Sequence, residues 1–215
     1  MSTQPPPAPG LRERKRLEAM RRIQASALDL FDRFGYRQFT VEQVAADAGV
    51  SPSSVYRYFG TKEQLILHDE YDPRILELLR SVDSGATWTV PQMMEILRHG
   101  AGLFMSVLGP GDEERVQRRM AYVVSEPEVH AGMVRDAQKQ EVEIREIVAS
   151  RLGRDGSDFE VRVLVAMAVW GFLSGIFHWA ESGFTQSLAT TISDVFEIVT
   201  RPVGSAIDIE QADAD

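Results

Sequence analysis

Apolar residues recur every three or four positions along most of the chain, which is the pattern of amphipathic helices. A first helix is predicted from Leu17 to the region of Gly35, a residue type that readily ends a helix. The segment Thr40-Val-Glu-Gln43 has the pattern of a capping box, and Ser51-Pro52 supplies a cap followed by a proline at the first helical position. The first part of the chain is therefore predicted to form helices over 17–34, 41–48 and 52–59.

The same start and stop signals continue downstream. Thr61-Lys-Glu-Gln64 is a second capping box and predicts a fourth helix to about Leu79, with a kink at Pro73. No alternation of period two is sustained, so no strand is predicted. The sequence thus predicts an all-α chain of about nine helices, the later ones lying over 89–108, 113–124, 126–152, 158–182 and 186–199.

Charge divides the chain into two unequal parts. Residues 1–62 contain ten basic and six acidic residues, whereas the remaining 153 contain 13 basic and 26 acidic residues. A small basic module joined to an acidic body is typical of proteins that face a nucleic acid or a membrane surface. We expect a module over 12–62, a larger helical domain over 63–200, and disordered tails over the proline-rich 1–11 and the acidic 201–215.

The composition excludes several kinds of site. The chain contains no cysteine, which rules out disulfides, thiolate metal sites and cysteine nucleophiles. Its four histidines have no metal-binding spacing and no phosphate-binding loop of the Walker type occurs, so we expect neither a metal nor a cofactor. The N-terminus lacks the basic and apolar regions of a signal peptide, so a cytoplasmic protein is expected.

One segment is long and apolar enough to be considered as a membrane span. Residues 163–180 contain no charged residue, but they include two glycines, Ser174 and His178, and no basic cluster flanks them. These features favour a buried helix of a soluble protein, and no membrane partner is expected. Because this helix is apolar on all sides, it needs a cover on both sides. A second copy of the chain is the simplest outer cover, and burial inside a monomeric core is the alternative.

Residues 39–59 have the layout of a helix-turn-helix. A helix of about eight residues is followed by a tight turn at Gly49 and a second short helix. In the second helix Val55 and Phe59 share one face, while the opposite face is small and polar with one arginine. Such a face suits the major groove of DNA. The alternative is a surface helix of an ordinary bundle, but the basic stretch from Arg12 to Arg22 favours DNA.

The segment Phe39-Thr-Val-Glu-Gln-Val-Ala, the segment Ala48-Gly-Val-Ser-Pro-Ser-Ser-Val-Tyr-Arg-Tyr-Phe59 and Lys62-Glu-Gln-Leu65 together resemble the N-terminal signature of the TetR family of transcriptional regulators. The similarity covers about residues 15–66. It implies an all-helical homodimer that binds a palindromic operator in double-stranded DNA and responds to a small-molecule inducer, most simply as a repressor. The competing hypotheses are a helical adaptor that does not bind DNA and a small helical enzyme with no recognisable catalytic motif.

The resemblance also assigns roles to individual residues of the module. Thr40, Tyr56, Tyr58 and Lys62 match positions that contact the DNA backbone. Base contacts are expected from the start of the second helix and from Arg57, because arginine paired with guanine is the strongest base-reading option here. The expected DNA-binding residues are Thr40, Ser51, Pro52, Ser53, Ser54, Tyr56, Arg57, Tyr58 and Lys62.

Signals from the larger domain are weaker. Aromatic and methionine side chains on several helices could line a ligand cavity, although such residues also fill ordinary cores. A loose similarity of the N-terminal pattern and of Asp72-Pro73 to an actinobacterial branch of the family implies an inducer such as an acyl-CoA or a fatty acid. The expected pocket residues are Phe104, Met120, Tyr122, Met167, Trp170, Phe177 and His178. The late helices over 158–182 and 186–199 are expected to form the dimer interface, with Val161, Leu164, Val165, Ala168, Phe172, Gly175 and Trp179.

Overall fold

The computed structural model describes residues 10–69, 72–82 and 87–201, and this part of the chain contains eleven α-helices and no strand. The predicted all-α class is confirmed, with two helices more than the expected nine. The predicted terminal tails lie almost entirely outside the described residues. The helices are α1 (Leu11–Phe34), α2 (Val41–Asp47), α3 (Pro52–Phe59), α4 (Gln64–Leu67), α5 (Asp72–Ser81), α6 (Val90–Arg98), α7 (Gly100–Val107), α8 (Asp112–Ser125), α9 (Pro127–Leu152), α10 (Phe159–Glu181) and α11 (Leu188–Thr200).

Helices α1, α2 and α3 pack around one end of the main apolar core. Phe31 of α1 lies there, with its ring centroid 4.3 Å from that of Phe39 and 5.6 Å from that of Tyr36. Val44 of α2 and Val55 of α3 are buried beside them. Burial of these side chains fixes α3 against α1 and α2, and so determines which face of α3 remains in solvent.

The predicted helix over 61–79 is wrong as a single element, because the structure has two helices there. His68 follows α4 with φ −53° and ψ 120°, which ends the helix at Leu67. The next helix begins at Asp72, so Pro73 lies in its first turn. A proline there sacrifices no helical hydrogen bond, since the first N–H groups of a helix have no partner within it. No kinked continuous helix therefore joins the module to the body.

The predicted helix over 89–108 is also divided. His99, with φ −90° and ψ 4°, separates α6 from α7. Gly100 begins α7, and a Cβ atom at this position would lie 3.0 Å from the ring of Phe196. The break therefore occurs where the backbone approaches the aromatic ring of α11 closely.

Helix α10 lies at the centre of the body and contacts α8, α9 and α11. Two of its glycines face α11 within the same chain. A Cβ atom at Gly171 would lie 2.8 Å from a methyl group of Val199, and one at Gly175 would overlap a methyl group of Val195. These glycines allow α10 and α11 to pack unusually close together.

Among the described residues, α10 is also the one helix that is long and apolar enough to cross a membrane. Its inner side packs on three helices of the bundle. Its outer side leaves an apolar stripe in solvent, in which Phe159 is 81%, Val163 40% and Met167 46% exposed. The packing is that of a bundle helix with one uncovered side.

Ion pairs and hydrogen bonds attach α1 to the body. Arg118 of α8 donates hydrogen bonds to the carboxylates of Asp29 at 2.7 Å and Asp32 at 2.6 Å. The hydroxyl group of Tyr122, one turn further along α8, donates to Asp32 at 2.5 Å. The ring of Tyr122 also lies edge-on to Phe31, with a centroid distance of 5.4 Å. The core of the module therefore continues into the body.

Helix α4 is held by α8 and α9. The buried guanidinium group of Arg119 donates to the carbonyl oxygen of Ile66 at 2.8 Å and to the carboxylate of Asp69 at 2.8 Å. The side-chain amide of Gln64 donates to Asp136 of α9 at 2.7 Å. Because α4 also contacts α1, any movement of α8 or α9 has a direct route to the N-terminal module.

The close packing of α10 on α11 generates a stability prediction. Gly175→Ala should lower the free energy of unfolding by about 1–3 kcal/mol, since the added methyl group overlaps the stiff, β-branched Val195. Gly102→Ala in α7 is the matched control, because its Cβ position is empty and alanine favours helix by about 1 kcal/mol over glycine. Urea unfolding followed by circular dichroism measures both variants. Equal effects of the two substitutions would contradict this packing.

Candidate DNA-binding surface and ligand cavity

The face of α3 that remains in solvent is polar. Ser51 caps the helix, with its hydroxyl oxygen accepting a hydrogen bond from the N–H of Ser54 at 3.3 Å, and Pro52 occupies the first helical position. Val55 and Phe59 are buried, which turns Ser53 and Arg57 towards solvent. A short helix held by two apolar anchors, with small polar residues near its start, has the geometry of a recognition helix.

Two predicted backbone contacts flank this face. Thr40 forms the expected capping box: its hydroxyl accepts from the N–H of Gln43 at 3.4 Å, and the side chain of Gln43 accepts from the N–H of Thr40 at 2.8 Å. Tyr56 is 48% exposed, and its hydroxyl group donates to Glu42 of α2 at 3.4 Å. Both groups lie where α2 and α3 meet, at the surface of the protein.

Arg57 and Tyr58 lie next to each other at the surface of α3. The guanidinium carbon of Arg57 is 4.8 Å from the ring centroid of Tyr58, and one of its N–H groups donates to Ser54 at 3.3 Å. Arg57 is exposed, whereas Tyr58 is half-buried and packs partly against the core. The exposed guanidinium is therefore better placed to reach base edges than the phenol ring of Tyr58.

Lys62 has a structural partner that the sequence did not indicate. Its ammonium group donates to the carbonyl oxygen of Phe39 at 2.9 Å and lies over the rings of Phe39 and Tyr36, at 4.3 and 4.7 Å. Burial lowers the pKa of Lys62 below its ordinary value, although Glu128 and Glu126 act in the opposite direction. Lys62 thus ties the chain after α3 to the aromatic residues before α2.

A second basic residue also has a local role. Arg22, part of the basic stretch in α1, donates from Nε to the carbonyl oxygen of Ala48 at 3.0 Å. The bond gives a partner to a carbonyl oxygen at the C-terminal end of α2. The turn at Gly49 follows directly, and its φ of +65° is in the left-handed region. The basic stretch therefore supports the helix-turn-helix as well as providing positive charge, and charge counting alone could not distinguish the two roles.

The body contains an apolar cavity of about 200 Å³. It lies between α5, α6, α7, α9, α10 and α11, and its lining is aliphatic and aromatic except for Asp72 and Gln140. A concave, mostly apolar space with few polar groups is typical of a small-molecule site. Among its lining residues are Leu76, Met93, Phe104, Ile144, Phe172 and Phe196.

Phe104 is the one predicted pocket residue that lines this cavity. Tyr122 instead donates to Asp32 at the junction of module and body, and Trp170 donates to Glu141 at 3.1 Å. The ring of Phe177 stacks on that of His130. The predicted pocket residues that lie outside this lining are Met120, Tyr122, Met167, Trp170, Phe177 and His178.

The residues predicted for the dimer interface lie on the inner side of α10. Leu164, Val165, Ala168 and Phe172 line the cavity, and Gly175 packs on α11. Val161 and Trp179 are buried in the cores of the chain. Because α10 is apolar on all sides, its hydrophobicity could not indicate which stripe faces outward, and the exposed stripe is the one containing Phe159, Val163 and Met167.

Asp72 gives the cavity its acidic group. The side-chain amide of Gln140 donates a hydrogen bond to the carboxyl group of Asp72. Burial raises the pKa of Asp72 to about 7, and the nearby Asp69 carboxylate adds to this effect, while Arg119 and Gln140 oppose it. The sequence places Asp72 and Pro73 in a predicted helix but gives no sign of a cavity beside them. Only the fold shows that the carboxyl group of Asp72 borders an apolar space.

Comparisons with known proteins agree with this arrangement. Residues 23–68 match the model for bacterial regulatory proteins of the tetR family, and residues 92–204 match the MftR C-terminal domain. The chain is 31% identical over 173 residues to the HTH-type transcriptional regulator TcmR of Streptomyces glaucescens, covering 75% of this chain and 73% of TcmR. It is also 26% identical to MftR of Mycobacterium tuberculosis, named for the regulation of mycofactocin biosynthesis, covering 86% of this chain and 91% of MftR.

A solved structure shares the fold. The transcriptional regulator FadR from Bacillus subtilis, in complex with stearoyl-CoA, superimposes with a TM-score of 0.54 at 16% identity, covering 84% of this chain and 97% of FadR. The two relatives named above are transcriptional regulators, not enzymes. With a helix-turn-helix at its N-terminus and regulators as relatives over most of its length, the chain belongs to the TetR family of bacterial transcriptional regulators.

Proposed function

We propose that the protein is a homodimeric repressor that binds a palindromic operator through α3 and is released when a small, largely apolar ligand enters the cavity. The observation that carries the proposal is the apolar cavity in the body of a chain whose first helices form a DNA-binding module. Family membership argues against the two alternatives, an enzyme and an adaptor that does not bind DNA.

Base reading is proposed for the exposed start and middle of α3. Arg57 can donate two hydrogen bonds to guanine, and Pro52 and Ser53 can contact a thymine methyl group. Phosphate contacts are proposed for Tyr56 and Lys62. An ammonium group has three donors, and Lys62 uses one of them on Phe39, so the others remain for a phosphate oxygen.

A second copy of the chain is proposed to cover the exposed stripe of α10. Phe159, Val163 and Met167 lie in this stripe, and Ile198 of α11, which is 66% exposed, adds to the apolar surface of the same helix pair. Exposed apolar patches of this kind are typical of protein interfaces. A two-fold axis at this surface would present two recognition helices to major grooves about 34–36 Å apart, which requires a near-palindromic operator.

The ligand is proposed to be largely apolar because the cavity lining is. The FadR structure holds stearoyl-CoA, and a long acyl chain has the chemistry that such a lining accommodates. An acyl-CoA or a fatty acid is therefore the first candidate for the inducer.

Ligand entry is proposed to weaken DNA binding through α9 and α4. Helix α9 contributes Gln140 to the cavity and, one turn earlier, Asp136 to the hydrogen bond with Gln64 of α4. A shift of α9 would therefore reach the module directly. The coupling is reciprocal, so operator DNA must lower ligand affinity by the same factor, with a coupling free energy of about 1–3 kcal/mol.

The DNA contacts are tested on a duplex selected by the wild-type protein from a random pool. Arg57→Ala should relax the preference at one base pair of each half-site by about 1–3 kcal/mol. Lys62→Ala should instead weaken binding about equally on all sequences and reduce its salt dependence, because it removes a phosphate contact. Arg80→Ala, which removes an exposed charge from α5, is the control and should change neither. Unchanged base preference in Arg57→Ala would refute the assignment.

The dimer is tested by sedimentation. Met167→Glu places a charge in the apolar stripe of α10 and should convert a micromolar wild-type dimer to monomer, since a buried, unpaired carboxylate is costly. Val142→Glu is the matched control: Val142 of α9 is 47% exposed, close to the 46% of Met167, and lies outside the stripe. A wild-type monomer, or a Met167→Glu dimer as stable as the wild type, would count against this interface.

A further inference from the structure

The cavity combines an apolar lining with a single type of charge. Asp72 is the one ionisable side chain in the lining among the described residues, and its neighbour there, Gln140, is neutral. A carboxylate in apolar surroundings is costly unless it is paired with a donor or a cation. Among the described lining residues, the side-chain amide of Gln140 donates a hydrogen bond to Asp72.

Among the described residues, the cation that stabilises a charge on Asp72 already has a partner of its own. Arg119 of α8 lies nearby, but its guanidinium pairs with Asp69 at 2.8 Å. Asp136 of α9 adds a third carboxylate, and it pairs with the exposed Lys139 at 2.8 Å. The carboxylates near Asp72 thus have their own partners, and together they raise the energy of a negative charge on Asp72.

The carboxyl group of Asp72 can accept more hydrogen bonds than the one that Gln140 gives it within the described residues. A carboxylate offers about four lone-pair sites, whereas Gln140 donates one hydrogen bond to Asp72. Burial and the nearby Asp69 carboxylate raise the pKa of Asp72 to about 7, so the ionised form costs more at this position than in water. A ligand group that donates hydrogen bonds or carries positive charge would lower this cost.

The lining of the cavity extends along α9 away from Asp72. Gln140, Ile144 and Val148 of α9 all line it, one turn apart. At a rise of about 1.5 Å per residue, these three positions span about 12 Å along the helix axis. Trp88 lines the end of the cavity that is far from Asp72. Its backbone N–H donates a hydrogen bond to the carbonyl oxygen of Arg151, which follows Val148 in α9. The space therefore suits an extended apolar body with one polar end.

We propose that the cavity takes an elongated apolar molecule whose single polar end donates hydrogen bonds, a protonated amine binding more tightly than an alcohol, with this end on Asp72 and Gln140. The inference rests on the proposed function, since it concerns the same ligand site. It keeps the extended apolar body of the first candidates and replaces a carboxylate at the Asp72 end by a hydrogen-bond donor. A fatty acid with its carboxylate at this end is disfavoured, because that group would meet Asp72 as a like charge.

The test uses three probes with the same chain: octylamine, octan-1-ol and octanoate. Each is titrated against the full-length protein while tryptophan fluorescence and the unfolding temperature are recorded. Octylamine should bind about ten- to hundredfold more tightly than octanoate, the range expected for a hydrogen bond to a charged group, with octan-1-ol between them. Octanoate binding as tightly as octylamine, or no binding of either donor, would overturn the proposal.

Three variants test whether the probes bind inside the cavity. Asp72→Asn keeps the shape and one acceptor, so octylamine should lose about tenfold or more in affinity while octan-1-ol changes little. Glu143→Gln is the control, because Glu143 also lies on the acidic body but is exposed and pairs with Arg80. Trp88→Phe should abolish most of the fluorescence change. Unchanged octylamine affinity in Asp72→Asn, or an unchanged signal in Trp88→Phe, would overturn the site.

Folding defects are separated from binding defects by circular dichroism of each variant. The order of affinities of the three probes is measured on the wild-type protein, so folding defects of the variants do not affect it. The proposed function is tested separately by adding octylamine to the complex with the selected duplex. Tight octylamine binding without release of the duplex would refute the ligand-responsive part of the proposed function and leave the ligand chemistry intact.

Discussion

A helix that is apolar on every side cannot be covered by one neighbour, and α10 imposes this constraint on the whole body. Its buried side packs on α8, α9 and α11, and the contact with α11 is close because glycines face Val195 and Val199. A further side borders the cavity, so the helix that completes the core also forms one wall of the cavity. The remaining stripe is exposed in a single chain. Core, cavity and proposed interface are thus three uses of one apolar surface, and a change in one of them alters the helix that supports the others.

One of the connections between the N-terminal module and the body depends on a buried charged group. Arg119 is 5% exposed and donates to a backbone carbonyl of α4 and to Asp69. Removing one partner from a buried ion pair costs more than the pair contributes, because the other charge is left without compensation. Such a group favours one arrangement of α4 over a continuum of slightly different ones. This is the property that the proposed switch requires, since a small shift of α8, which carries Arg119, would move α4 and would not be absorbed by loose packing.

The parts that could be predicted from the sequence are those set by local chemistry. Thr40 and Ser51 cap helices as expected, and Thr89 caps α6 in the same way, because a side-chain oxygen next to free N–H groups needs no tertiary information. The recognition face of α3 follows from two apolar anchors four residues apart. The break between α4 and α5 was missed because the apolar spacing continues across it, while His68 adopts an extended ψ. A cavity in the body was expected, but of the residues predicted to line it only Phe104 does so. The lining comes from six helices, and only their packing decides which apolar side chains border the cavity and which fill the core.

Asp72 shows how specificity can be built into such a space at little cost to the fold. An apolar cavity alone discriminates poorly between ligands of similar size, because each methylene group contributes about the same free energy. One buried carboxyl group changes this, since every ligand that enters must either satisfy it or leave it unpaired. Asp72 begins α5, and the side chain that donates to it belongs to α9. A ligand that binds this carboxyl group therefore contacts the two helices next to the Asp69–Arg119 pair, and recognition of its polar end takes place where the body holds α4. In this proposal, the position of Asp72 accounts both for the choice of ligand and for the transmission of ligand binding to the DNA-binding module.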